Sequence, residues 1–327
     1  MPPVSLARRA ALAMAALPLL ARPILAQAPR GLTRILVGFP PGGSADITAR
    51  LMAERLRGLY AANVVVENRP GASGRLAAEA VKAAEPDGTT MLLTASSILT
   101  LLPHIYRATI RYDSFADFIP VSPAGQFPHG MAVGPRAGMP GNIREFAAWA
   151  RTQPEVTYGS ASAGTTLHFL GIQFAKAAGL AMTHVPYRGS APAVQDLIAG
   201  VTGASFHPMV DLAGHAEGGR IRLVATTAPQ RLERFPDVPT FAEQGFPQLT
   251  TSEWFGVFLP ARTPSATVEA LNQAVRQVSA QVDYREALAR LVMTPRPLGL
   301  AEFAALVRHD YDRWGPIVAE SGFRPEE

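Results

Sequence analysis

Apolar positions along the chain fall into two alternating spacings. Residues 33–39 (TRILVGF) form a short apolar run ending in Pro40-Pro41-Gly42-Gly43, which predicts a buried strand feeding a sharp turn. A helix is expected next, because Ser44 and Asp46 supply N-terminal capping chemistry and Ile47, Leu51, Leu56 and Leu59 recur at near-helical spacing. The unit then repeats. A strand over 64–67 leads through Asn68-Arg69-Pro70-Gly71-Ala72-Ser73-Gly74 to a helix over 76–84, a Pro86-Asp87-Gly88 turn and a strand over 90–94 that runs into Ser96-Ser97. Such alternation predicts an α/β fold on a parallel, doubly wound sheet.

Between residues 118 and 137 the periodicity gives way to Pro120, Pro123, Gly125, Pro128, Gly130, Gly134 and Pro135, which suits a crossing between lobes and a first hinge. A second α/β alternation follows: a helix over 143–151, a strand over 156–159, a helix opened by Gly164-Thr165-Thr166, a strand over 182–185, a helix over 191–199 and a strand over 221–226. Residues 236–247 are again turn-rich and predict the return crossing. Beyond them Val268, Leu271, Val275 and Val278 mark an amphipathic helix entered through Thr263-Pro264, and Phe303, Leu306 or Val307, Trp314 and Val318 mark the last one. At about 150 residues per domain, 327 residues fit two lobes. The expected division is an export signal over 1–28, lobe one over 29–125, lobe two over 126–249, and a return to lobe one over 250–327.

Composition removes several functions. No cysteine is present, so disulfides, thiolate metal sites and a cysteine nucleophile are excluded. The formal charge of +4 falls to +1 once Arg8, Arg9 and Arg22 of the N-terminal segment are set aside, and no arginine stripe suited to a phosphate backbone remains. A nucleic-acid partner is not expected. Residues 5–28 (SLARRAALAMAALPLLARPILAQA) combine a basic start, an apolar run and an A-x-A spacing at Ala26 and Ala28, the pattern of an export signal cleaved after one or other alanine. The run is interrupted by Pro18 and Arg22 and is shorter than the ~20 residues a membrane span needs. A periplasmic protein is expected, with the general secretory and twin-arginine routes both compatible with Arg8-Arg9.

Two loops at strand-to-helix turns carry the most chemistry: Pro40-Pro41-Gly42-Gly43-Ser44 in lobe one and Ser160-Ala161-Ser162-Ala163-Gly164-Thr165-Thr166 in lobe two. A helix N-terminus presents unpaired N–H groups and partial positive charge, so glycine and neighbouring hydroxyls there suit an anion. Each loop alone is an ordinary helix opening, but two facing each other would grip a carboxylate or dicarboxylate. Ser96, Ser97, Tyr187, Arg188 and Gly189 also follow strands and are candidates for the same cleft. Ser162 misses the G-x-S-x-G elbow, because serine stands two residues before it; an esterase-like hydrolase is the alternative and would need a histidine such as His207, His215 or His309. The seven histidines show no metal spacing, and no dinucleotide or G-K-[ST] loop occurs, so no metal or cofactor is expected. His168 reads as a hydrogen-bond partner rather than a base.

Val37-Gly38-Phe39-Pro40-Pro41-Gly42-Gly43, Val66-Glu67-Asn68-Arg69-Pro70-Gly71-Ala72, Pro86-Asp87-Gly88, residues 158–168, His184-Val185-Pro186-Tyr187-Arg188-Gly189, Pro236-Asp237-Val238-Pro239-Thr240 and Trp254-Phe255-Gly256, in this order, resemble the receptors of tripartite tricarboxylate transporters, the Bug-type solute-binding proteins. The resemblance spans nearly the whole chain. It implies a two-lobed fold of the type II periplasmic binding protein kind, two sheets joined by two crossings, with a small organic acid between the lobes, membrane permease subunits as partners and no catalysis. A sensory input to a signalling receptor is a further use of the same fold, and a monomer is expected. The resemblance implies that residues 39–46 (with Phe39, Pro40, Gly42, Gly43, Ser44 and Asp46) and 164–168 (with Gly164, Thr165, Thr166 and His168) hold carboxylate oxygens. Two departures stand out: Ser162 where the family commonly has glycine, and His207 where it commonly has aspartate. If His207 faces the cleft it disfavours a ligand ammonium group, which predicts a dicarboxylate or aromatic carboxylate without an α-amino group; the alternative is that it packs beside Pro208 and Met209.

Overall fold

The computed structural model describes residues 31–324, so the export-signal expectation lies outside the described residues. Lobe one starts with β1 (Leu32–Val37), α1 (Ser44–Leu56), β2 (Asn63–Asn68), α2 (Arg75–Lys82), β3 (Thr90–Ala95), the short α3 (Ser96–Thr100) and α4 (Leu102–Ile105), and β4 (Phe118–Phe127). Lobe two follows with β5 (His129–Val133), α5 (Ile143–Ala150), β6 (Val156–Ser160), α6 (Thr166–Ala178), β7 (Met182–Pro186), α7 (Ser190–Ile198), β8 (Ala204–Pro208), α8 (Met209–Glu217) and β9 (Arg222–Thr226). The chain returns to lobe one as β10 (Glu253–Pro260), α9 (Ser265–Ala280), α10 (Val282–Arg290) and α11 (Leu300–Ser321).

Each lobe has one five-stranded sheet, ordered β2-β1-β3-β10-β4 and β7-β6-β8-β5-β9. The sheets are mixed rather than wholly parallel: β10 runs antiparallel to β3 and β4, and β5 antiparallel to β8 and β9. The reason is topological. β5 and β10 are the strands that arrive from the other lobe, so they enter from the cleft side, against the strands that run toward it. The segment expected to be irregular, 118–137, is built largely of β4 and β5, with Pro128 alone between them. Its prolines and glycines reflect register shifts in β10–β4 and the bend between lobes, where a residue without an N–H breaks a ladder without waste.

Helices cover both faces of each sheet. In lobe one, Ala49 and Met52 of α1 pack with Val268 and Leu271 of α9 on one face, and Ala77 and Val81 of α2 with Phe303, Val307 and Trp314 of α11 on the other. In lobe two, Phe146 of α5 and Phe174 of α6 fill one face, and Leu197 of α7 and Leu212 of α8 the other. The lobes also touch directly. Phe169 of α6, fully buried, lies among lobe-one side chains with its ring 6.0 Å from Trp314 and 5.7 Å from Phe323. Burying such a ring contributes about 1.5–3 kcal/mol to holding the two lobes together.

Candidate functional site

Between the lobes lies a cleft of about 350 Å³, at the small end of the ~300–1,000 Å³ typical of ligand pockets. It sits at the ends of the parallel strands, where open α/β sheets bind ligands. From lobe one come the β1–α1 loop (Phe39 to Ala45), Ser97 at the opening of α3, Phe127 of β4, and Glu253 and Phe255 of β10. Lobe two supplies Ala161, Ser162, Thr165 and Leu167 around the start of α6, then Arg188 to Pro192 at the start of α7, and Pro208, Asp211 and His215.

The β1–α1 loop owes its shape to a few residues. Gly38 passes so close to Gly74 that a Cβ on Gly38 would stand 2.6 Å from Gly74 Cα, so β1 can leave the sheet here only as glycine. Gly42 has φ +87, a left-handed conformation that favours glycine. Asp46 then pins the loop from inside the helix: it accepts hydrogen bonds from the Gly42 N–H (2.9 Å), Asn68 Nδ2 (2.9 Å) and Arg50 Nε (2.9 Å). Burial works to raise the Asp46 carboxyl, but these bonds and the Arg50 charge outweigh it and hold the group below its usual 3.8. Asp46 is 2% exposed and does not line the cleft. It positions the N–H groups of α1 and is itself out of a ligand's reach.

The lobe-two loop is organised similarly. Thr165 donates its hydroxyl to the Ser162 carbonyl (2.9 Å), and the Ser162 and Ser73 hydroxyls meet at 2.8 Å across the lobes. Gly164, Thr166 and His168 lie behind this rim, outside the lining. His168 accepts the Gly164 N–H at Nδ1 (3.1 Å) and stacks on His184 at 3.8 Å between ring centroids. Burial lowers His168 to about 4, and burial with the His168 neighbour lowers His184 to about 3, so both rings are neutral structural partners. His184 Nε2 lies 2.8 Å from the hydroxyl of Ser160, not of Ser162. Among the described residues, Ser162 has no histidine within hydrogen-bond distance, and the geometry that a hydrolase would need at that serine is absent.

Of the remaining candidates, Ser97 lines the cleft and donates its N–H to Glu253 Oε1 (3.2 Å), whereas Ser96 reaches the same oxygen from behind (3.3 Å). Tyr187 turns away and donates to Asp196 (2.8 Å). His207 must be corrected. It is fully buried within β8, with Nε2 2.6 Å from the Ser205 hydroxyl, and is not part of the lining. The β-strand alternation puts its side chain inside the lobe, and burial, then His129, lowers it to about 3. The premise for excluding a ligand amino group therefore falls away. Sequence reading missed Asp211, Glu253, Phe127 and Phe255, and named His215 only as a partner for a hydrolase serine. Asp211 had a usable signal, an acid in the first turn of a helix after a strand that ends at the cleft. Glu253 had none, because its place beside Ser97 depends on the non-local pairing of β10 with β3.

Two mixed sheets joined by paired crossings around such a cleft define the two-lobed periplasmic binding protein class. Residues 48–323 match the tripartite tricarboxylate transporter family receptor (TctC) family, and the chain belongs to that family. It is 32% identical over 295 residues to the protein BugT of Bordetella pertussis, covering 88% of this chain and 89% of that one. A solved R. palustris protein with adipate superposes with a TM-score of 0.85 at 30% identity, covering 91% of this chain and 99% of the other. MatC from Rhodopseudomonas palustris with bound malate gives 0.79 at 28% identity, covering 88% and 99%. Family membership indicates a periplasmic protein.

Proposed function

We propose that this chain is a periplasmic receptor that captures a small organic acid between its lobes and hands it to the membrane permease subunits of a tripartite transporter, without catalysing a reaction. The observation that carries the reading is the convergence of the α1 and α6 N-terminal loops, through Gly42, Gly43, Ser44, Ser162 and Thr165, on one cleft. Free N–H groups and helix dipoles aimed from two lobes favour an anion that only the closed form can hold from both sides. Adipate and malate in related structures support a carboxylate. The rings of Phe39, Phe127 and Phe255 offer an apolar wall for the body of a dicarboxylate or an aromatic carboxylate. Delivery to a permease follows from the family, and closure of the lobes would give the permease a loaded shape to recognise. Export with cleavage after Ala26 or Ala28 belongs to the same reading.

Native mass spectrometry of the purified protein, followed by calorimetry with adipate, malate, glutarate and 3-phenylpropanoate, tests the capture step. Saturable one-to-one binding of at least one acid, without turnover, is expected. No binding of any carboxylate, retained or added, would sink the reading.

A further inference from the structure

The cleft that the proposed function assigns to a carboxylate is not itself basic. Its charged lining consists of one guanidinium, Arg188, and two carboxyl groups, Asp211 and Glu253, with His215 alongside, in a wall that is otherwise mostly apolar. Glu253 is 6% exposed and placed at the floor. Its Oε1 receives the Ser96 hydroxyl and the Ser97 N–H, while Oε2 pairs with His129 Nε2 at 3.2 Å; burial works to raise the carboxyl, but the His129 and Ser97 bonds outweigh it and hold the group below its usual range. The cleft thus carries an ionised, largely buried carboxylate on its lobe-one side. Asp211 sits across the cleft on α8, where Oδ2 accepts the Ser190 hydroxyl (2.6 Å) and no partner meets Oδ1 among the described residues.

With two carboxyl groups against one guanidinium in the lining, a second ligand carboxylate placed beside Glu253 and Asp211 would meet repulsion. What suits this side of the cleft is a ligand cation with several N–H groups, which both carboxyl groups can accept. We propose, building on the carboxylate reading, that the ligand is an amino acid with an apolar body, its carboxylate at the helix N-termini and Arg188 and its ammonium received by Asp211 and Glu253. Burial pushes the Asp211 carboxyl up to about 6 against the opposing effects of Ser190 and His129, so the group is mostly ionised above neutral pH and an ammonium would stabilise that form. The aromatic wall of Phe39, Phe127 and Phe255 accounts for the body.

Calorimetry at pH 7.5 with matched pairs differing only by the amino group tests this: L-phenylalanine and 3-phenylpropanoate, L-leucine and 4-methylpentanoate, L-glutamate and glutarate. The amino member of at least one apolar pair should bind about 10- to 100-fold more tightly than its partner, the range of one or two charge-assisted hydrogen bonds. In Asp211→Asn and in Glu253→Gln, each checked for an unchanged melting profile, that ratio should fall below about 3. Equal or stronger binding of the amine-free members, or of adipate over every amino acid, overturns the ammonium assignment and leaves the carboxylate reading standing. A ratio that survives both substitutions overturns the assignment to these two residues. Failure of every acid to bind removes both readings together.

Discussion

Substituting Gly43 by valine isolates the anion grip from the fold. Gly43 has φ −81 and ψ 169, a conformation open to any residue, and a Cβ placed there would meet only the Pro40 carbonyl oxygen, at 3.9 Å. Losing glycine as the N-cap of α1 costs up to about 1 kcal/mol, while the stiffer unfolded chain returns about 0.4–1 kcal/mol, so the melting temperature should move by no more than a few degrees. The valine side chain, however, projects from a residue that lines the cleft, beside the first N–H groups of α1. It displaces a carboxylate from at least one charge-assisted hydrogen bond, worth about 1.5–3 kcal/mol, which is a loss of roughly 10- to 100-fold in affinity. The neighbouring Gly42→Ala is the contrasting control: at φ +87 it strains the backbone by about 1–3 kcal/mol and should lower the melting temperature visibly. Calorimetry with the tightest-binding carboxylate, beside scanning calorimetry of each variant, reads both quantities. Wild-type affinity in a well-folded Gly43→Val protein would mean that the carboxylate does not sit on the α1 N-terminus.

Asp46→Ala leaves the Gly42 N–H without its acceptor and takes from Asn68 Nδ2 one of its two acceptors, the other being the Phe39 carbonyl (3.0 Å), and should destabilise by about 1–3 kcal/mol in urea unfolding, with Arg50 contributing little because its side chain is 53% exposed. Because the Asp46 carboxyl lies below 3.8, its stabilisation is present above that value and is lost as pH falls below about 4, so the gap between wild type and variant should narrow there. His168 and His184 behave oppositely in origin: lowered from 6.5 to about 4 and about 3, they let the unfolded chain take protons that the folded one refuses. Stability should therefore decline as pH falls from 6.5 toward 4, by at most about 1.4 kcal/mol per pH unit per ring, and His184→Gln should flatten the decline in a melting-temperature profile. Phe169→Ala removes the ring that lobe two buries in lobe one and should enlarge the radius of gyration of the ligand-free protein by small-angle scattering; an unchanged radius would show that Phe169 does not hold the lobes together.

The architecture was legible because most of its strands and helices are short-range events. Residues 33–39 with Pro40 to Gly43, and the amphipathic steps of α9, declare themselves within a window of a dozen positions. β4 and β5 did not, since their prolines are tolerated only at the register shifts and at the bend, which depend on partners far along the chain. The site divided the same way. Glycine loops at helix N-termini could be read locally, and many of the singled-out residues, among them Phe39, Pro40, Gly42, Gly43, Ser44, Ser97, Ser162, Thr165, Arg188 and Gly189, do line the cleft. Asp46, Ser96, Gly164, Thr166 and His168 stand one layer behind, where they shape or brace the loops. Sequence marks a polar residue near a turn, but one more peptide unit decides whether its side chain faces ligand or loop.

His207 and Asp211 show why that matters for specificity. The two lie four residues apart, yet β8 turns the first into the lobe, while α8 presents the second at the cleft. A reading that placed the imidazole in the site predicted a pocket hostile to cations; the carboxyl that occupies the wall makes it receptive to one. Lobe closure is tied to the same chemistry. Glu253 and His129 are the first residues of β10 and β5, the strands that follow the two crossings, and Thr227, just past β9, is tied to His129 by donating its N–H to the His129 carbonyl (2.9 Å) and accepting the His129 N–H at its hydroxyl (2.9 Å). One wall of the cleft is therefore built beside the two crossings. In the proposed receptor, a ligand group paired with Glu253 would engage residues beside both crossings, so charge recognition and closure would draw on one set of contacts rather than two.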